Sequence, residues 1–133
     1  MADLSAVTVT DIHVVESIEQ MTLPAAEAIT KGQAVGIDSA GKAALADADT
    51  GPIVCRGIAI TAANQAGITI TVLKKGLIDM GDIFTSLAFS AEVFTSATPG
   101  LLGDATVNSQ PAIGYVHPAW GYTTADKLLR IDL

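Results

Sequence analysis

The sequence predicts an all-β fold of about eight to ten short strands, and three observations support this fold class. Half of the 133 residues are hydrophobic, yet aromatic residues make up only 5% of the chain. Ala, Thr, Val, Ile and Gly dominate, and this mixture favours short strands and tight turns over a helical bundle. In Ile68–Leu73, apolar residues alternate with Thr, as in a strand with one buried face.

Two regions follow from the composition. Residues 1–24, which end at Pro24, are expected to form an N-terminal arm, and residues 25–133 a single β-barrel domain. Val7 and Val9 alternate with threonines, which indicates a short strand or an extended arm. The stretch Ile12–Leu23 is compatible with either a short helix or a strand.

The barrel region reads as strands separated by turn residues. A turn at 39–41 separates the first two strands, and Asp47–Pro52 is a loop by composition. At the end of the chain, Leu129, Ile131 and Leu133 alternate with charged residues, which predicts a final strand packed into the sheet. The strands expected before that one cover 33–38, 42–46, 56–61, 68–73 and 76–83.

The second half of the chain echoes the first. Val35 and the turn after it resemble Val93 and the turn after it, and Gly57-Ile58 resembles residues 113–115. Ile68–Leu73 has its counterpart in the last seven residues. The repeat predicts two similar halves that close one barrel and leave few exposed sheet edges.

Charge and cysteine content argue against several partners. With 14 acidic and 7 basic residues the net charge is −7, so nucleic acid is not expected as a partner. No apolar stretch reaches the roughly 18 residues of a membrane span, and the first residues lack the pattern of a signal peptide. The single Cys55 lies in an apolar run and is expected to be a buried small hydrophobe.

Motifs for catalysis or cofactor binding are incomplete. Gly36–Ala43 has the spacing of a phosphate-binding loop, but Ala43 replaces the required Ser or Thr, so a hairpin turn is the better interpretation. The acidic loop at Asp47 lacks the glutamate of a calcium loop. His13 and His117 have no second ligand at metal-binding spacing. No catalytic residue, metal or cofactor is therefore predicted, and the chain is not expected to be an enzyme.

One segment is typical of protein contacts. Residues 114–122 hold the only Trp and both Tyr residues, flanked by Gly and Pro. The ring of Trp120 either anchors a partner or closes one end of a barrel, and both alternatives stay open. The candidate partner-binding residues are Val7, Val9, His117, Trp120 and Tyr122.

The order of the motifs resembles the capsid cement, or head decoration, proteins of tailed bacteriophages. Ala28–Lys42 looks like the strand and D-x-x-G-K turn that open this family, and Gly57-Ile58-Ala59 like its "G-I-A" strand. Residues 66–80 follow its next turn and strands, and 91–133 its second half. The resemblance covers residues 25–133, and each motif by itself is a common turn pattern.

The resemblance implies a compact, tulip-like β-barrel that forms a homotrimer. It implies a structural protein of the virion, made in the host cytoplasm, that binds the major capsid protein on the outer surface of an icosahedral head. No membrane or small-molecule substrate is expected. The alternatives are a virion spike or surface module that contacts a host glycan or protein through the loop around Trp120, and a small enzyme or carrier with a modified lysine at Lys74-Lys75.

Overall fold

The computed structural model describes Leu4 and residues 12–49, 53–118 and 127–133. The fold is all-β: these residues form strands and turns, and they contain no helix. The prediction of an all-β fold is therefore confirmed. The nine strands of the described residues are β1 (Ile12–Pro24), β2 (Ala34–Ile37), β3 (Ala43–Leu45), β4 (Gly57–Ala59), β5 (Thr69–Met80), β6 (Glu92–Thr95), β7 (Leu102–Gly103), β8 (Gly114–Pro118) and β9 (Lys127–Asp132).

The strands form one antiparallel sheet that curls into a half-barrel. Its order is β3-β2-β4-β5-β9-β8-β6-β7, and β1 pairs with β5. Backbone hydrogen bonds link the two ends of the sheet around Gly100. The Gly100 amide donates to the Ala46 carbonyl at 2.9 Å, and the Ala34 amide donates to the Gly100 carbonyl at 3.0 Å. These bonds hold the sheet in its curled shape.

The repeat predicted from the sequence is present in the sheet. The strand order reads the same from both ends, because β2–β5 of the first half correspond to β6–β9 of the second. The pairing register is also the same in both halves. Matching pairs are Val35–Gly57 with Val93–Gly114, Ile58–Leu73 with Tyr115–Arg130, Ala59–Val72 with Val116–Leu129, and Ile37–Ala43 with Thr95–Leu102.

The segment Ile12–Leu23 is a strand, which decides between the two alternatives that its sequence left open. It belongs to β1 and pairs with β5 over the whole length of that strand. The register shifts near Val14, Ser17 and Glu19 mark β-bulges or similar irregularities. These irregularities break the alternation of buried and exposed residues along β1, and such a break is why its sequence does not read as a clear strand.

The two strands expected at 68–73 and 76–83 are wrong as separate elements, because the structure joins them into β5. Lys74 and Lys75, between two apolar runs, look like a turn in the sequence. In the structure the Lys74 ammonium lies 2.8 Å from a Glu19 carboxylate oxygen, and the Lys75 ammonium lies 3.7 Å from Asp132. Because both charges meet partners on neighbouring strands, the strand continues through them.

Two hydrophobic clusters stabilise the sheet. The main core gathers side chains from both halves, including Leu73, Val93 and Leu129, and Phe84 from the β5–β6 connection closes it. The smaller cluster lies beneath the β1–β2 connection, where Ala25 and Ile29 cover part of the first half. Each half thus has one sheet face covered by the connection that precedes it.

Two equivalent glycines let neighbouring strands approach closely. A Cβ atom on Gly57 would overlap the Leu73 carbonyl oxygen, and one on Gly114 would overlap the Arg130 carbonyl oxygen. Leu73 and Arg130 are matched positions of the repeat, so both halves need glycine for the same steric reason.

We expect Gly57→Ala and Gly114→Ala each to lower the free energy of unfolding by about 2–3 kcal/mol, because the obstructing atoms belong to backbone that has little room to move. Chemical denaturation followed by circular dichroism measures this. Gly41→Asn is the control, because Gly41 has φ +81 in open space and Asn tolerates that conformation. Equal stability of all three variants would contradict the steric argument.

Candidate interaction surface

The outer face of the second half differs from the matching positions of the first half. Ala34, Ile58 and Leu73 are fully buried in the main core. Their counterparts by register are Glu92 and Tyr115, which are exposed, and Arg130, which is half-buried. The same strand pairing therefore supports apolar residues in one half and a solvent-facing surface in the other.

His117 is the one predicted partner-binding residue that the structure describes. It lies in β8, half-buried, with its Nδ1 atom 2.7 Å from the Pro118 carbonyl oxygen. Val7, Val9, Trp120 and Tyr122 lie outside the described residues, so their predicted role stays a prediction.

Tyr115 shares the outer face with His117, two residues further along β8. Its side chain is 39% exposed, and its ring centroid lies 6.0 Å from that of His117 at an interplanar angle of 40°. Tyr residues are enriched at protein contacts because they offer a large rigid area together with a polar edge. The outer face of β8 thus carries two neighbouring rings just before the segment that contains Trp120.

Phe89 is a second exposed aromatic residue, which the sequence reasoning missed. The Ala91 amide donates to the Ala88 carbonyl at 3.1 Å and closes a β-turn with Phe89 and Ser90 at its centre. Ser90 has φ +70, a left-handed conformation that the second central position of a type II turn requires. The Phe89 side chain is 39% exposed at this tip. Because this position holds serine and not the glycine that such turns favour, the turn could not be recognised in the sequence.

Lys127 fastens this turn to the sheet. Its ammonium donates to the carbonyl oxygen of Leu87 and, at 3.3 Å, to that of Thr85. It also lies 5.4 Å from the centroid of the Phe89 ring, within reach of a cation–π interaction. From the other side, the Ser90 amide donates to the Val116 carbonyl at 2.8 Å. The position of Phe89 is therefore fixed by contacts with both β8 and β9.

Ion pairs tie β1, β5 and β9 together on the outer side of the sheet. The Arg130 guanidinium lies 3.5 Å from Glu16, in addition to the pairs made by Lys74 and Lys75. The hydrogen bond from Lys74, helped by its positive charge, lowers the pKa of the Glu19 carboxyl below its usual value. All three pairs are partly exposed, so they contribute little to stability. Arg130 is also the cross-strand partner of Tyr115.

Cys55 is buried, as expected. Its side chain is 3% exposed, and its thiol donates to the Gly57 carbonyl at 3.4 Å. Burial raises the pKa of the thiol to about 11, so it stays protonated near neutral pH. A protonated, enclosed thiol is a poor nucleophile.

The segment with phosphate-loop spacing is a hairpin turn, which confirms the interpretation made from its sequence. It joins β2 to β3, and the Asp38 carboxylate accepts hydrogen bonds from the amides of Ala40 and Lys42, both at 2.9 Å. Two backbone amides of the kind that a phosphate-binding loop turns toward its ligand are thus bonded to Asp38 instead. Asp47 likewise accepts a 2.8 Å bond from the Asp49 amide, as in an ordinary acidic turn.

No protein-family model matches the chain, and no curated protein matches it. In the part of the chain that the structure describes, no group of three or more His, Cys, Asp or Glu side chains is placed to hold a metal ion. No helix among the described residues is long and apolar enough to span a membrane.

We expect Lys127→Met to lower the free energy of unfolding by about 1–2 kcal/mol, because two carbonyl oxygens lose their charged donor. Hydrogen exchange at the Ser90 amide should also become faster, since the turn loses the hydrogen bonds that Lys127 donates beside it. Lys75→Met is the control, because its ion pair spans 3.7 Å at an exposed position. If Lys127→Met and Lys75→Met lowered the free energy of unfolding equally, Lys127 would not stabilise the turn as described.

We expect stability to fall between pH 9 and pH 11, the interval between the ordinary and the folded pKa of Cys55. The unfolded chain loses the thiol proton near pH 9, whereas the folded chain keeps it to about pH 11, so deprotonation favours unfolding. In Cys55→Ala, the free energy of unfolding should decrease by about 2–3 kcal/mol less across this pH range than in the unchanged protein. Parallel stability curves for the two proteins, measured by denaturation across this range, would contradict the assignment.

Proposed function

We propose that this chain is a structural cement protein that binds the outer surface of an icosahedral phage head and stabilises contacts between major capsid subunits. The observation that carries the proposal is the order of motifs over residues 25–133, which follows that of the cement family. The strand–turn–strand at 34–45 and the strand at 57–59 occur in that order along the chain. The two strands that follow them in the family pattern are joined here into the single strand β5.

The all-β fold suits this role for a physical reason. Two halves with the same strand register form one curled sheet, in which every strand of the described residues pairs with at least one neighbour. Such a protein holds its outer surface rigid. A rigid surface loses little conformational entropy when it binds a shell. In this proposal the curled sheet belongs to a compact, tulip-like barrel, and three copies of the chain form a homotrimer.

Avidity supports binding through modest contacts. A trimer that touches several shell subunits gains from effective concentration, since each further contact is intramolecular once the first has formed. The exposed rings of Phe89 and Tyr115 and the half-buried ring of His117 are described side chains suited to such contacts. The segment with Trp120 follows directly in the sequence.

The proposal is tested by co-sedimentation with undecorated phage heads, before and after expansion. We expect saturable binding to expanded heads, with one copy or one trimer per site, and higher resistance of the decorated heads to heat. Tyr115→Ser should weaken binding, whereas Ile37→Ser, a change at an exposed residue of the first half, should not. A folded protein that stays in the supernatant when expanded heads are pelleted would overturn the proposal.

A second candidate is a virion surface module that binds a host glycan or protein. The observation that favours it is the pair of rings at Tyr115 and His117, since sugar rings stack on exposed aromatic faces. A glycan array probed with the purified protein tests this candidate. Binding that is lost in Tyr115→Ser, together with no binding to heads, would favour it over the cement function.

A further inference from the structure

We infer that the middle of β1, residues 13–20, is a strap that opens locally while both ends of the strand stay in place. Ion pairs from Glu16 and Glu19 hold the strap closed over β5 and β9. Opening of the strap frees the edge of β5 without unfolding the rest of the sheet, and the open fraction depends on the salt concentration.

The two ends of β1 are anchored by apolar side chains. Ile12 is fully buried in the main core, and Met21 and Leu23 pack against the smaller cluster. None of residues 13–20 is buried, since Val15 is half-buried and the other seven are exposed. Because the burial of apolar side chains is the main favourable contribution to holding a strand in place, the middle of β1 is held more weakly than its ends.

The backbone pairing of β1 is also least regular in its middle. All three register shifts between β1 and β5 fall within residues 13–20, and Val15 and Ile18 have no partner residue on β5. Among the described strands β1 pairs with β5 alone, so no second strand holds it. A segment with few buried contacts and an interrupted ladder opens at a lower free energy than the sheet around it.

Two ion pairs close the strap. The Glu19 carboxylate lies 2.8 Å from the Lys74 ammonium, and the Glu16 carboxylate lies 3.5 Å from the Arg130 guanidinium on β9. Leu77 on β5 is the register partner of both Glu16 and Arg130, so the second pair passes over its side chain. Leu77 is only 5% exposed, although it belongs to neither hydrophobic cluster of the described residues. The closed strap therefore covers an apolar side chain.

The closed strap also protects the edge of β5. A free and regular strand edge is a template for pairing with other chains, and bulges and charged side chains make such an edge pair poorly. The middle of β1 carries both features, in its register shifts and its two glutamates. Opening exposes Lys74, Leu77 and Arg130 together with unpaired backbone groups of β5. The strap thus decides whether this part of the sheet is accessible.

Salt should act on the strap and on the whole fold in opposite directions. Screening weakens the two partly exposed ion pairs that close the strap. The same screening reduces the repulsion within a chain of net charge −7, which favours the folded state. Easier opening of residues 13–20 without a loss of global stability is therefore the signature of a local event.

The first test is hydrogen exchange followed by NMR on the full chain, in about 0.01 M and about 1 M sodium chloride. At high salt we expect the protected amides of residues 13–20 to exchange roughly threefold faster relative to those of residues 21–23. At low salt, Glu16→Gln and Glu19→Gln should each have an effect of about this size. Asp132→Asn is the matched control, because it removes a pair between β9 and β5 and should leave residues 13–20 unchanged.

Exchange in residues 13–20 that keeps pace with residues 21–23 in every sample would overturn the strap. An equal acceleration by Asp132→Asn would do so as well, because it would show that charge removal anywhere on the sheet has the same effect.

A second measurement tests whether opening uncovers Leu77. Leu77→Cys and Ile78→Cys are compared in a Cys55→Ala background, each checked for folding by circular dichroism, and their reaction with a small alkylating reagent is timed. Ile78 is fully buried in the main core, so its variant reacts only when the sheet unfolds. We expect the Leu77→Cys variant to react faster and to gain further at high salt, whereas Ile78→Cys does not. Equal rates and equal salt responses would show that only global unfolding exposes Leu77, and would overturn the local opening.

Discussion

The arrangement of the described chain depends on the backbone pairing of β5. This strand pairs with β1 along its length, with β4 near its beginning and with β9 in its second part. It therefore connects the two halves of the repeat and the N-terminal strand in one sheet. The close approach that Gly57 allows against β5 is repeated by Gly114 against β9. A side chain at either glycine would push apart the strands that carry both cores.

The repeat shows how one pairing pattern serves two environments. Backbone register depends on main-chain hydrogen bonds, which are alike in both halves, whereas burial depends on what packs against each face. Leu73 faces the main core, and its counterpart Arg130 faces outward and pairs with Glu16. The second half thus keeps the scaffold and exchanges apolar side chains for polar and aromatic ones. This exchange is what creates a surface suited to contacts.

The connection between β5 and β6 joins stability to surface chemistry. Phe84 closes the main core, and a few residues later Phe89 stands exposed on a turn whose left-handed Ser90 costs about 1 kcal/mol or more. The bonds from Lys127 to the carbonyl oxygens offset that cost. The same short segment therefore buries the ring of Phe84 in the main core and exposes the ring of Phe89 at the surface. The buried ring helps to hold the exposed one in place.

The sequence by itself determined the all-β class, the turn at Asp38 and the burial of Cys55, because each depends on local propensity or on alternation within a few residues. It also determined the repeat, because two distant segments carry similar strand and turn residues. Tertiary structure decided the rest. It turned Ile12–Leu23 into a strand and joined the two parts of β5 across its lysines, since both depend on pairing with distant partners. It also placed Phe89 beside Lys127, residues far apart in the chain. That contact depends on how the sheet curls, which no local pattern encodes.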